Sequence, residues 1–152
     1  MNITFNMEMD DSVLAFAYLM RTRMILACSA EQRYKEFGLS IEQHAILLTL
    51  YNKTTPVYPK NIAKMLFRKP CTISNQLKNL LRKNLIILKV DADNRSRTEV
   101  WISETGQKIM KEISDLDLYR EFFSNLSKQE LNQLNNFLLR IFENNIGRLK
   151  QA

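Results

Sequence analysis

Residues 59–106 set out an order of elements that few folds can accommodate. Ile62, Ala63, Leu66 and Phe67 recur at the spacing of a short amphipathic helix, and Arg68 and Lys69 make a tight turn. Pro70 follows where a first helical residue tolerates a fixed φ and a missing N–H. The helix it opens, 71–83, turns Ile73, Leu77, Leu80 and Leu81 to one side. At about 100° per residue, Cys71, Asn75, Lys78 and Arg82 fall on the other side, flanked by Thr72, Ser74 and Asn79. Residues 85–90 are β-rich, 91–98 form a polar loop with Asp91, Asp93, Arg95 and Arg97, and Val100 and Ile102 alternate as a returning strand. Helix, turn, helix and hairpin in that order describe a winged helix-turn-helix.

The same stretch concentrates charge. Between residues 60 and 97 ten lysines and arginines face two acids, a net of +8, whereas the whole chain carries +6. The flanks are therefore net acidic, and a basic excess confined to one segment is the footprint of a surface that meets phosphates. Hydroxyl, amide and cation on one helix face is also the chemistry that reads base edges. Lys69, Thr72, Ser74, Asn75, Lys78, Asn79 and Arg82 are thus the candidate nucleic-acid contacts on the helix, with Arg95 and Arg97 on the hairpin. A merely solvated helix face is the competing reading, and the place of this helix directly after a short helix and tight turn weighs against it.

A chain of 152 residues, 45% of them hydrophobic, fits a single domain able to bury a core. Three Gly and three Pro leave long helices little interrupted, so the expected class is mainly α with a small α+β element. Glu8, Asp10 and Asp11 stand where a secretory signal would be basic, and the apolar run 13–20 is cut by Arg21 and Arg23 short of a bilayer span. A cytoplasmic protein without membrane contact is expected. Cys28 and Cys71 fall in separate helices without metal-ligand spacing, so neither a disulfide framework nor a metal site is expected. The chain has no Gly-rich phosphate loop, its one histidine has no nucleophile at readable spacing, and its carboxylates are scattered. An enzyme, or a cofactor to serve one, has no basis in these residues.

Outside the central stretch, residues 1–9 show no period and read as a loose arm. Asp10, Asp11 and Ser12 favour a helix start, and Gly38 stops that helix. Its first half is apolar around almost the whole circumference, from Val13 to Met20, which demands cover on more than one side. Ser40 and Gln43 form a capping-box pair opening a helix to about residue 52, with Ile41, Ala45, Leu48 and Ile46 expected inward. Residues 53–59 read as a loop with at most one short strand at Val57 and Tyr58. Ser103 caps a helix expected to run from 104 to about 123, and Ser127 with Glu130 opens the last one. There Leu131, Leu134, Phe137, Leu138, Ile141, Phe142 and Ile146 make a stripe broader than one neighbour needs. Residues 39–103 are therefore expected to form the winged lobe, and 10–38 with 104–148 a dimerisation region within one chain of 1–152.

Several of these stretches resemble the multiple-antibiotic-resistance regulator (MarR) family of transcription factors. They are Ile62 to Leu66, Ile73 to Leu77, Asn84 to Ile86, the wing element Asp93-Asn94-Arg95 and the junction from Val100 through Ser103 to Gly106. Phe67 stands where the family usually has Gly, and Lys69 followed by Pro70 where it usually has a hydroxyl cap. The resemblance covers essentially the whole chain. It implies a homodimer of interlocked terminal helices that grips double-stranded DNA at a pseudo-palindromic operator as a transcriptional regulator, expected to be a repressor. It also implies that Asp93 positions the wing arginine by an ion pair. In a twofold dimer the two reading helices stand about 34 Å apart, one turn of duplex.

A small aromatic or anionic effector between the dimer helices and the reading head is a further implication, with Tyr18, Arg21, Tyr34, His44, Leu47 and Tyr51 as candidate lining. Plain core packing is the competing reading for each of them. Cys71, at a helix start beside Arg68 and Lys69, is a candidate redox thiol, against an unreactive small residue at that place. The alternative function is a winged-helix interaction module that has lost DNA contact, although such a module needs no +8 reading head.

Overall fold

The computed structural model describes residues 10–51, 53–115 and 117–147. The expected arm 1–9, the expected helix end at Asn52 and the last expected dimerisation residue, Arg148, lie outside them. The chain divides into two compact units, Met1–Asp115 and Leu116–Ala152. The first contains α1 (Asp11–Glu36), α2 (Ile41–Leu50), α3 (Pro59–Met65), α4 (Pro70–Arg82), β1 (Ile86–Val90), β2 (Thr98–Ile102) and α5 (Glu104–Asp115). The second contains α6 (Leu118–Phe122) and α7 (Lys128–Ile146).

Local chemistry sets most of the helix ends. The Asp10 carboxylate accepts the Ser12 N–H at 2.8 Å to start α1. Ser40 and Gln43 exchange side-chain and backbone bonds at 3.2 and 3.3 Å to start α2, and Ser127 and Glu130 do the same for α7. Three helices then end alike. The residue just past the cap takes a left-handed backbone, Gly38 (φ 66°) after α1, Phe67 (φ 52°) after α3 and Asn84 (φ 57°) after α4. In each, the next N–H reaches back six residues inclusive: Leu39 to the Tyr34 carbonyl, Arg68 to Ala63 and Leu85 to Leu80.

The core of the first unit is built from Leu39, Ile46, Leu47, Leu50, Ile62, Ile73, Leu80, Val100 and Ile113, all essentially sealed from solvent. β1 and β2 pair antiparallel, with Ile86 opposite Ile102 and Val90 opposite Thr98. Val57 adds a single bridge on the far side of β2, its carbonyl accepting the Val100 N–H at 2.7 Å. The expected short strand is that one bridge.

Four expectations need correction. Phe67, read into the short helix before the turn, lies past its cap and is 49% exposed, and Leu81, expected on the inner side of α4, is 40% exposed. In α2 the inward residues are Gln43, His44, Ile46, Leu47 and Leu50, while Leu48 is 57% exposed. The helix carries two apolar stripes one residue out of phase, and the one that also holds Gln43 and His44 packs. The helix expected from 104 to 123 is two, α5 and α6. Before the break the Ser114 hydroxyl bonds back to the Lys111 carbonyl at 2.8 Å, a local bond that competes with the helical ladder.

Of the 26 residues of α1, only Ala30 and Tyr34 are buried. Val13, Phe16, Met24 and Ile25 are each more than half exposed. By length and composition α1 could cross a membrane, but Arg21 and Arg23 sit near its middle, where each charge is costly in hydrocarbon. α7 buries no residue fully, and Phe137, Leu139, Ile141 and Phe142 are all at least half exposed.

Candidate nucleic-acid interface

α4 is held from below and open above. Ile73, Leu77 and Leu80 fix its inner side in the core, so Cys71, Ser74, Asn75, Lys78 and Arg82 are exposed, with Thr72 and Asn79 half-buried at the edges. Lys69 is the N-cap residue, its backbone extended, and its side chain makes no cap bond. A helix start without a side-chain cap or a first-turn acid is disposed toward an anion. The Arg82 guanidinium donates to the Asn79 amide oxygen one turn back, which ties two of the candidate contacts together.

Lys83 leaves this face. Its ammonium donates to the Gly38 carbonyl and, at 2.9 Å, to Gln43 Oε1, so one of the ten basic residues ties α4 to α2 and the turn before it. Arg68 faces Glu42 at 3.4 Å. Gln43, buried on α2, also donates to Gln76 Oε1 on α4 at 3.2 Å.

The wing loop is organised by Asp91. Its carboxylate accepts the Tyr58 hydroxyl at 2.7 Å and the backbone N–H groups of Asp93 and Asn94 at 2.8 and 3.1 Å. The Asp91 N–H donates to the Arg97 carbonyl at 3.1 Å, and the Arg97 N–H to the Asn94 carbonyl at 2.8 Å. The Tyr58 hydroxyl, first of all, and then the Asp93 amide hold the Asp91 carboxyl below its ordinary range. Arg95 and Arg97 are both exposed, and the Arg97 guanidinium lies 6.0 Å from the centre of the Tyr58 ring. Among the described residues no salt bridge joins Asp93 to either arginine; Asp93 enters the network through its backbone.

The wing is anchored at its base by Ser103. Its hydroxyl donates to the Asn84 carbonyl at 2.7 Å and accepts the Gly106 N–H at 3.0 Å. A Cβ on Gly106 would lie 2.3 Å from the Leu85 carbonyl oxygen, which explains why this junction takes glycine. On the hairpin, the Trp101 indole donates to Glu99 at 2.7 Å and the Lys89 ammonium sits 5.4 Å from its ring centre.

The candidate effector residues fall into two groups within one chain. Tyr34 and His44 stack at 4.0 Å between ring centres and, with Leu47, belong to the core. Tyr18 and Arg21 are exposed on α1, about 20 Å or more along the helix from Tyr34, and Tyr51 is half-buried at the end of α2. Cys71 and Cys28 are both exposed free thiols. Among the described residues no cluster of His, Cys, Asp and Glu could hold a metal ion.

Tyr58, Asp91, Gln43 and Lys83 were not candidates from sequence. The signal that finds them is tertiary: each pairs with a residue 33 or more positions away.

No protein-family model matches the chain, and no curated protein does. Among solved structures, Staphylococcus aureus MepR in its DNA-binding conformation is 30% identical, covers 85% of this chain and 97% of its own, and superposes with a TM-score of 0.72. The S. aureus MepR–DNA complex is 28% identical over 85% of this chain and 97% of that one, with a TM-score of 0.75. The transcriptional regulator SlyA, 19% identical, shares the fold at a TM-score of 0.79 over 90% of this chain and 96% of its own. The mostly helical architecture with one two-stranded antiparallel wing is the one expected from the order of elements in residues 59–106, and the chain belongs to the MarR family of winged-helix transcription regulators.

Proposed function

We propose that this protein is a sequence-specific DNA-binding transcriptional regulator that acts as a homodimer on a pseudo-palindromic operator. The observation that carries it is the outer side of α4, where Ser74, Asn75, Lys78 and Arg82 stand exposed above a sealed apolar side. Similarity to a MepR structure solved with DNA supports the partner. Lys69, Thr72 and Asn79 complete the helix contacts, and Arg95 and Arg97 extend them from the wing, whose loop Asp91 shapes. A protein-interaction module without DNA contact is not favoured by this surface.

Dimerisation is supported by the apolar side chains that α1 and α7 leave uncovered. Exposed patches of this kind mark interaction surfaces, and a second copy is the simplest source of cover for each helix. Repression is the simplest outcome of a dimer occupying an operator in competition with polymerase. A small aromatic or anionic effector would act in a cleft between copies, beside Tyr18 and Arg21, because Tyr34, His44 and Leu47 are committed to packing.

A mobility-shift assay on DNA flanking the protein's own gene, at two salt concentrations, with the oligomer mass measured by light scattering, tests the reading. Expected are a dimer, a discrete shifted band and an affinity that falls steeply with salt. A monodisperse monomer, or binding equal on operator and scrambled DNA, would reject it.

A further inference from the structure

Tyr58 joins three parts of the lobe that otherwise have separate roles. Its backbone is the N-cap of α3, the carbonyl accepting the Asn61 and Ile62 N–H groups at 2.9 and 3.0 Å. Its neighbour Val57 bridges β2. Its hydroxyl donates to Asp91 at 2.7 Å, and its ring lies 6.0 Å from the Arg97 guanidinium, at the outer limit of a cation–π contact.

These contacts close the wing loop from outside. Asp91 is 6% exposed and gathers the Asp93 and Asn94 amides on one oxygen and Tyr58 on the other. Arg97 is fixed through its backbone on both sides, by Asp91 and Asn94. Asn94 in turn accepts the Ser96 N–H at 3.0 Å and hydroxyl at 2.6 Å. Arg95 is therefore carried at the tip of a loop whose two ends are set by Asp91, through its carboxylate at one end and its backbone N–H at the other, and Tyr58 is the side chain that attaches that carboxylate to the helix-turn-helix. The raised pKa of the Tyr58 hydroxyl, caused first by Asp91, keeps it a donor across the physiological range.

We propose that Tyr58 is a positioning residue for DNA binding: by clasping Asp91 and lying against Arg97, it holds the wing in the one orientation that presents Arg95 and Arg97 to the duplex while α4 occupies the groove. The proposal rests on the reading that the wing arginines touch DNA. Its logic is that of pre-organisation: an arginine on a loose loop loses conformational freedom on binding, whereas one on a clasped loop has lost it already.

The test is a double-mutant cycle on the full-length protein, with operator affinity read across a salt series. Tyr58→Phe removes one oxygen and leaves the ring and the α3 cap. It should weaken operator binding roughly tenfold, the scale of a hydrogen bond to a charged group, and flatten the salt dependence by about one phosphate contact. In an Arg95→Ala, Arg97→Ala background the same change should have less than about a twofold effect, as coupled residues require. Asp91→Asn, which turns an amide N–H toward Tyr58, should lower affinity in the same direction and supports the clasp if Tyr58→Phe folds poorly. Native affinity in Tyr58→Phe, or an equal fold-loss in both backgrounds, would overturn the proposal while the wing reading stands. If the arginine pair can be removed with affinity and salt slope unchanged, the wing reading itself fails and takes the proposal with it.

Discussion

The Gln43 side-chain amide donates to Gln76 Oε1 at 3.2 Å, fastening the buried side of α2 to the recognition helix α4. Its oxygen accepts the Lys83 ammonium at 2.9 Å and the Ser40 N–H at 3.3 Å. One amide thus joins the start of α2 to the middle of α4 and to the residue that caps its C-terminal end.

Gln43→Met keeps the volume and removes all three bonds, leaving the Ser40 amide and the Lys83 charge to find other partners. Unfolding in urea should show a loss of about 1–3 kcal/mol, with an unchanged denaturant slope. Stability within error of the native protein would mean that the network carries no net weight.

Two glycines make a matched comparison. Gly106→Ala drives a methyl into the Leu85 carbonyl oxygen at 2.3 Å and the Ile102 side chain at 2.8 Å, so it should cost roughly 3 kcal/mol or more. Gly147 has an ordinary right-handed backbone and open space around it, so Gly147→Ala should lie within about 0.5 kcal/mol of native. Thermal melts of the pair at one protein concentration check both at once.

Burial lowers the His44 pKa from 6.5 to about 4, so the folded protein prefers the neutral ring stacked on Tyr34. The unfolded chain takes up the proton first as pH falls. The contribution of this group is therefore complete above pH 6.5 and is lost between 6.5 and 4, on the order of 3 kcal/mol. Urea midpoints measured at pH 7 and 4.5 should fall further for native protein than for His44→Phe; parallel declines would refute the assignment.

On α4, Asn75 and Lys78 separate two kinds of contact. Asn75→Ala should cost about 1–3 kcal/mol on operator and little on unrelated DNA, as a base reader does. Lys78→Ala should weaken both DNAs alike and reduce the salt slope by about one. A competition titration with two DNAs at three ionic strengths distinguishes them, and interchange of the two patterns would reassign the residues.

The order of elements was legible because helix caps and periodicity are local. Ser40 with Gln43, Ser127 with Glu130, Pro70 at a helix start and Gly38 at a helix end each act within a turn, and each is where the sequence places it. The inner side of α2 was not legible, since burying Gln43 and His44 depends on Gln76, Lys83 and Tyr34, none of them near in sequence. The wing shows the same limit. Asp91 and Asp93 look equivalent along the chain, and only Tyr58, 33 residues away, selects Asp91 as the acid that shapes the loop. On α4 a periodic count places all the polar contacts on one side, but it does not show that Lys83, just past the helix, is engaged by Gly38 and Gln43.

Phe67 and Asn84 bracket α4 in left-handed backbone, and neither is glycine. A residue with a side chain has fewer backbone conformations to exchange than glycine has, so the swivel points at both ends of the recognition helix are stiff. α4 cannot easily pivot on its own ends. Stiff turns at both ends favour a reorientation in which α3 and β1 travel with α4 as one lever rather than as three jointed parts.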